Sequence, residues 1–183
     1  GEAVYRVKGA TSKLLLTRSL EHFASKSAMD IDGLGEKNVE LLVASNLVND
    51  LADIYTIQKE DLLKLERFAE ISAANLIEAI ASKKNPPLDK FIYALGIRHV
   101  GAQTAIDLAS HFHSIGKLAE STLDELQEVN GVGEVVAESI IAWFSDEDNS
   151  ALLRKLEEVG VKSQKYQPRV GKLSGMSFVI TGT

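Results

Sequence analysis

Val129-Asn130-Gly131-Val132-Gly133 is a pentad with apolar side chains at its first and fourth positions and glycine at its third and fifth. Three further pentads share its frame: Ile31-Asp32-Gly33-Leu34-Gly35, Leu65-Glu66-Arg67-Phe68-Ala69 and Ile97-Arg98-His99-Val100-Gly101. Their first residues lie 34, 32 and 32 positions apart along the chain, the period of a helix pair with its turns. The apolar positions would tuck a tight turn onto a core, while glycine permits a positive φ and a close approach of the main chain to something outside.

An amphipathic pattern follows each pentad. Val39, Leu42 and Val43 follow the first, Ala73, Leu76, Ile77 and Ile80 the second, Ala105, Leu108, Ala109 and Phe112 the third, and Val136, Ile140, Trp143 and Phe144 the fourth. All keep the spacing of one buried helical stripe. Short helical stretches also precede pentads, as in Asp61-Leu62-Leu63-Lys64 and in Thr122-Leu123-Asp124-Glu125-Leu126, where Thr122 and Glu125 make a capping box. The unit is helix, glycine turn, helix. The expected fold is all-α, with four such units arranged as two pseudo-symmetric pairs.

The 183 residues are 45% apolar and 25% charged, with 13 glycines and three prolines, enough for a packed core and unlike a disordered tail. Cysteine is absent, which removes disulfides, thiol catalysis and cysteine-ligated zinc together. No apolar run approaches a membrane span and no charged leader precedes an apolar stretch, so a soluble cytoplasmic protein is expected. The formal charge is −6, unevenly spread. Residues 1–26 carry five basic and two acidic side chains, residues 117–161 three and eleven, and residues 162–172 four and none. The chain starts at Gly1, and Leu173 to Thr183 reads as a turn and one β-branched strand. A lone strand cannot satisfy its own backbone, so a longer parent chain is expected.

Every pentad turn would end at a helix N-terminus, where backbone N–H groups lack intrahelical partners and the dipole is positive. Such a terminus attracts anions, and a side chain on the turn would hold a phosphate away from it. An acidic chain can therefore still grip DNA, through local main-chain donors. Contacts of that kind go to phosphate and carry no base information.

With these blocks in place the sequence resembles the helix-hairpin-helix family, and more closely the tandem helix-hairpin-helix domain of bacterial NAD-dependent DNA ligases. The resemblance covers nearly the whole chain. It rests on His22-Phe23-Ala24-Ser25, Ala28 to Lys37, Leu95 to Gly101, and Gly131-Val132-Gly133 followed by Val136-Ala137-Glu138-Ser139-Ile140. It implies residues 1–27 as a diverged zinc-finger remnant and lead-in helix, 28–161 as the DNA-binding domain, 162–172 as a basic linker, and 173–183 as the truncated first strand of a BRCT domain. Val7 and Ser12 stand where that family's finger has two cysteines, so zinc is not expected and a short non-helical N-terminal remnant is.

The resemblance implies a parent that seals nicks during DNA replication and repair, passing AMP from NAD through a lysine to the 5′-phosphate with a divalent cation such as Mg. No catalytic or cofactor-binding residue for that chemistry falls within this chain. What remains is a clamp for nicked double-stranded DNA, read without regard to sequence, and that role is carried onto Gly33, Gly35, Lys37, Arg98, His99, Gly101, Gly131 and Gly133. The second pentad, with Arg67 and Ala69 at the glycine positions, is expected to be a packing unit whose Arg67 reaches phosphate by side chain. The other domains of the ligase are the implied protein partners, with the chain a monomer near the bacterial nucleoid. Two other readings stay open at this point: a helix-hairpin-helix scaffold of another repair or recombination protein, and a purely structural helical array.

Overall fold

The computed structural model describes residues 2–168, with side chains from residue 12 onward. Among the described residues every regular element is helical. The order is α1 (Glu2–Ala24), α2 (Glu36–Ala44), a 3-10 turn (Leu51–Thr56), α3 (Lys59–Leu63), α4 (Glu70–Ala81), α5 (Leu88–Ala94), α6 (Ala102–Phe112), α7 (Ile115–Ala119), α8 (Leu123–Gln127), α9 (Glu134–Ser145) and α10 (Glu147–Glu158). The pentads join α1 to α2, α3 to α4, α5 to α6 and α8 to α9, and the two helices of each pair pack on one another. No described helix is long and apolar enough to cross a membrane.

One hydrogen bond closes every pentad. The fourth residue's N–H donates to the first residue's carbonyl, at 3.4 Å in Leu34–Ile31, 3.2 Å in Phe68–Leu65, 3.0 Å in Val100–Ile97 and 3.1 Å in Val132–Val129. The turn folds both apolar side chains inward: Leu34, Phe68, Val100 and Val132 are buried, as are Ile31, Ile97 and Val129, while Leu65 is half-buried. Positions two, three and five are exposed in all of them. The helical stripes supply the rest of the core, with Leu42, Leu76, Leu108 and Ile140 at its centre. His22 ties the first unit to the third: its Nε2 donates to the Tyr93 carbonyl at 2.6 Å, and its ring meets the Tyr93 ring edge-on.

The N-terminus differs from the expected non-helical remnant, because α1 runs from Glu2 without a break. No thiolate pair is present to hold a knuckle open, and Gly9 is the only strong helix breaker between Glu2 and Leu14. Helix then satisfies the backbone at least cost. Core contact begins late: Leu14 and Leu15 are exposed, whereas Leu20 and Phe23 are fully buried.

Two further differences lie toward the C-terminus. Asp146, Glu147 and Asp148 read as a charged loop, yet Asp146 caps α10 by accepting from the N–H groups of Asp148 and Asn149. Acidic residues favour a helix N-terminus through its dipole, so the same charge run starts a helix. The described part of the expected 162–172 linker is also held down. Lys162 and Gln164 donate their N–H groups to the carbonyls of Lys84 and Pro86 at 2.7 and 2.8 Å, and Tyr166 donates to the carbonyl of His113. Residues 169–183, with the expected strand, lie outside the described residues.

Helix α10 is fastened by charge. The Lys155 ammonium donates to Asp50 Oδ2 at 2.8 Å and to Asp53 Oδ1 at 2.5 Å, bridging α10 to the start of the 3-10 turn. Burial raises the Asp53 pKa, but the Lys155 hydrogen bond and charge and the N–H groups of Asn49 and Asp50 outweigh it, leaving it below the ordinary value of 3.8. A depressed carboxylate stabilises the fold above that ordinary value, and the contribution fades as pH falls through the folded one. Lys155 is 40% exposed, so water screens the pair and its worth is about 1 kcal/mol. Lys155→Met should therefore lower unfolding free energy in urea by about 1 kcal/mol at pH 7, and the difference from the parent protein should shrink below pH 4. A difference that stays constant across that range would contradict the assignment.

Candidate functional site

Gly33, Gly35, Lys37, Arg98, His99, Gly101, Gly131 and Gly133 are all exposed, and they gather at the openings of α2, α6 and α9. The glycines fall into two kinds. At position three, Gly33 (φ 91°) and Gly131 (φ 80°) lie in the left-handed region, and His99 takes the same conformation at φ 69°. Glycine is there because the turn requires it. His99 shows that a side chain is tolerated at this position at some cost in strain. At Gly33 packing adds a second reason, since a Cβ would sit 3.2 Å from Leu76 Cδ1 of α4.

Position five is different. Gly35 (φ −76°, ψ 176°), Gly101 (φ −88°, ψ −174°) and Gly133 (φ −89°, ψ −173°) are the N-caps of α2, α6 and α9, in extended backbone that any residue adopts. A Cβ on any of them would meet nothing within 4 Å. Neither strain nor packing asks for glycine there. Stability argues against it, because Ser, Thr, Asp or Asn at an N-cap would satisfy a free N–H group.

The chain uses such caps freely elsewhere. Asp50 caps the 3-10 turn, Ser114 caps α7, Thr122 caps α8 with Glu125 returning the bond, and Asp146 caps α10. Helices α2, α6 and α9 open with no side-chain cap at all. Their first-turn amides therefore face outward from exposed turns, available to an external acceptor. Helix α4 of the second unit also opens without a side-chain cap and differs in that the N–H of its N-cap residue, Ala69, donates to Ser72 Oγ at 2.9 Å.

Charge ranks the three bare openings. Glu36 and Glu134 sit in the first turns of α2 and α9, where they already complement the dipole, whereas the first turn of α6 has no acid. Carboxylate oxygens of Glu21, Glu36 and Glu40 lie within 4.8 Å of one another beside α2, partly offsetting Lys37. Arg98 and His99 stand exposed on the turn that leads into α6. That opening is the most favourable of the three for an anion.

Two residues act here that the sequence did not single out as a pair. Asn38 donates from Nδ2 to the Gly33 carbonyl at 2.7 Å and accepts at Oδ1 from Arg67 Nε at 3.1 Å. Arg67 therefore braces the second turn against the first, a contact that the expected reach of its side chain to phosphate did not include. Its side chain is exposed and, among the described residues, makes no ion pair. The signal that could have found it is the polar residue Asn38 one helical turn beyond a glycine, but the partner lies 29 residues away in sequence.

Residues 90–153, which hold the third and fourth units, match the family model described as the helix-hairpin-helix motif. Along its whole length the chain is 44% identical to a DNA ligase of Dehalococcoides mccartyi (strain CBDB1) and 45% identical to a DNA ligase of Trichlorobacter lovleyi, covering 27% of each. It is 44% identical to a DNA ligase of Saccharophagus degradans, covering 28% of it. The chain thus carries the helix-hairpin-helix motif and spans about a quarter of the length of the curated relatives it matches.

The two kinds of glycine should separate in stability measurements. Gly101→Ser and Gly133→Ser add a cap where none exists and should raise unfolding free energy by a few tenths of a kcal/mol, roughly the difference between these N-caps. Gly131→Ala, forced into the left-handed region, should lower it by about 1 kcal/mol. Urea unfolding of the three variants checks this, and a serine at position five that costs as much as Gly131→Ala would refute the distinction.

Proposed function

We propose that this chain is the part of a DNA ligase that holds double-stranded DNA, gripping phosphates with the bare amides at the openings of α2, α6 and α9. The observation that carries the reading is glycine at three exposed N-caps where neither strain nor packing requires it: α2, α6 and α9 open on Gly35, Gly101 and Gly133, while four other elements carry side-chain caps and α4 and α5 open uncapped on Ala69 and Pro87. Glycine there sacrifices helix stability, and an anion seated on the amides recovers the lost hydrogen bonds. Similarity to DNA ligases over the full chain favours a ligase over an unrelated scaffold with the same motif.

In this reading Gly35, Gly101 and Gly133 let the rail of phosphates approach, Gly33, His99 and Gly131 shape the turns, and Lys37 and Arg98 add charge beside the amides. Main-chain donors meet phosphate oxygens and leave base edges unread, so binding follows duplex geometry and ignores sequence. The preferred substrate is a nicked duplex, and the chain acts as a monomer joined to the ligase's other domains in the cytoplasm, at the nucleoid. We assign adenylation, with its NAD and divalent cation, to parts of the parent protein outside this chain.

The isolated chain should bind nicked duplex weakly and with strong salt dependence, at roughly 10⁻⁴ to 10⁻⁶ M as for other non-specific contacts. Fluorescence anisotropy on labelled duplexes of unrelated sequence tests this. The triple variant Gly35→Ser, Gly101→Ser, Gly133→Ser should stay folded and lose about tenfold or more in affinity with a shallower salt slope, with Gly101→Ser the largest single loss. A folded triple variant that binds as tightly as the parent would remove the proposal.

A further inference from the structure

The second residue of the helix after each turn is Lys37 in the first unit, Ile71 in the second, Gln103 in the third and Val135 in the fourth. Ile71 is 78% exposed and Val135 63%, more than any other large apolar side chain among the described residues. Both stand outside the buried stripes of their helices, which run through Ala73, Leu76 and Ile80 in α4 and through Ala137 and Ile140 in α9. Neither residue serves the core. Both are β-branched, so helix propensity does not favour them there either. Two such residues at one register position in alternate units form a pattern rather than scatter.

Their location says what they would touch. Helical Cα–Cβ bonds tilt toward the N-terminus, so a side chain at the second position leans back over the turn and toward anything seated on the helix opening. An anion gains nothing from an alkyl group. The deoxyriboses on either side of each phosphate do, since their C–H edges are the apolar part of the DNA backbone.

We infer that Ile71 and Val135 pack against deoxyribose in the bound duplex, so that units one and three supply polar contacts through Lys37 and Gln103 while units two and four supply apolar ones. This deepens the duplex-gripping role proposed above and rests on it. It also gives the second unit a task. With Ala69 in place of glycine and its N–H taken by Ser72, that unit offers less to a phosphate, but its turn still presents Ile71 outward. Burial of alkyl surface is insensitive to ionic strength, whereas phosphate contacts release counterions. The two kinds of contact are therefore separable.

The test uses the chain as it stands, with Ile71→Ala and Val135→Ala combined, substitutions that leave the core untouched. Duplex affinity is measured by anisotropy between 50 and 200 mM salt, about the range over which non-specific complexes weaken. The double variant should bind about tenfold more weakly, the loss expected from partial exposure of two aliphatic side chains, with an unchanged slope of log K against log salt. Leu14→Ala with Leu15→Ala, exposed on α1 and outside the four pentads, should bind as the parent does. Unchanged affinity in the Ile71/Val135 variant overturns the inference and leaves those side chains to a protein neighbour. A loss accompanied by a shallower salt slope overturns it too, because phosphate contacts would then have moved. Failure of the parent chain to bind duplex, or full binding by the triple serine variant, sinks the DNA-gripping proposal itself and is read separately.

Discussion

The hydrogen bond from the fourth to the first residue of each pentad is the constraint from which the molecule is built. It reverses the chain within five residues, drives two apolar side chains into the core, and leaves the second, third and fifth positions in solvent. The next helix starts immediately after, so its unpaired amides point away from the protein. Core formation and surface display are thereby the same event. The apolar residues that stabilise the fold also aim the main chain that the fold presents.

Glycine in these turns answers to two different demands. At Gly33 and Gly131 the backbone conformation needs it, and a substitution would strain the turn. At Gly35, Gly101 and Gly133 the protein could carry a capping side chain and does not, although it caps α7, α8 and α10 with Ser114, Thr122 and Asp146. A cap tied up with its own helix would fill the place an external acceptor needs. The trade of a few tenths of a kcal/mol per helix for open amides follows the common conflict between stability and function.

Much of this was legible in the sequence because it is local. The pentads, the stripes behind them and the Thr122–Glu125 capping box all lie within a few residues of one another, and each is found where its pattern placed it. The extension of α1 was not, since its reading depended on a knuckle whose cysteines are missing. The start of α10 is ambiguous in the sequence, because an acidic run suits a solvated loop and a helix N-terminus equally. Long-range pairings left no mark in the sequence: Lys155 with Asp50 and Asp53, Arg67 with Asn38, and the chain after Val161 along Lys84 to Pro86 join residues 29 to 105 positions apart. For the site, residue types could nominate the glycines but could not say which were bound by φ and which were free to be something else.

The whole account turns on main-chain N–H groups at three helix openings donating to an outside anion. An amide-resolved chemical-shift map of the isotopically labelled chain, titrated with nicked duplex, reads those groups directly. The account predicts that the largest shifts fall on the N–H groups of residues 33–38, 99–104 and 131–136, strongest around Gly101, with α10 and residues 162–168 silent. Shifts concentrated on α10 or that C-terminal stretch, with the three openings unmoved, would contradict it.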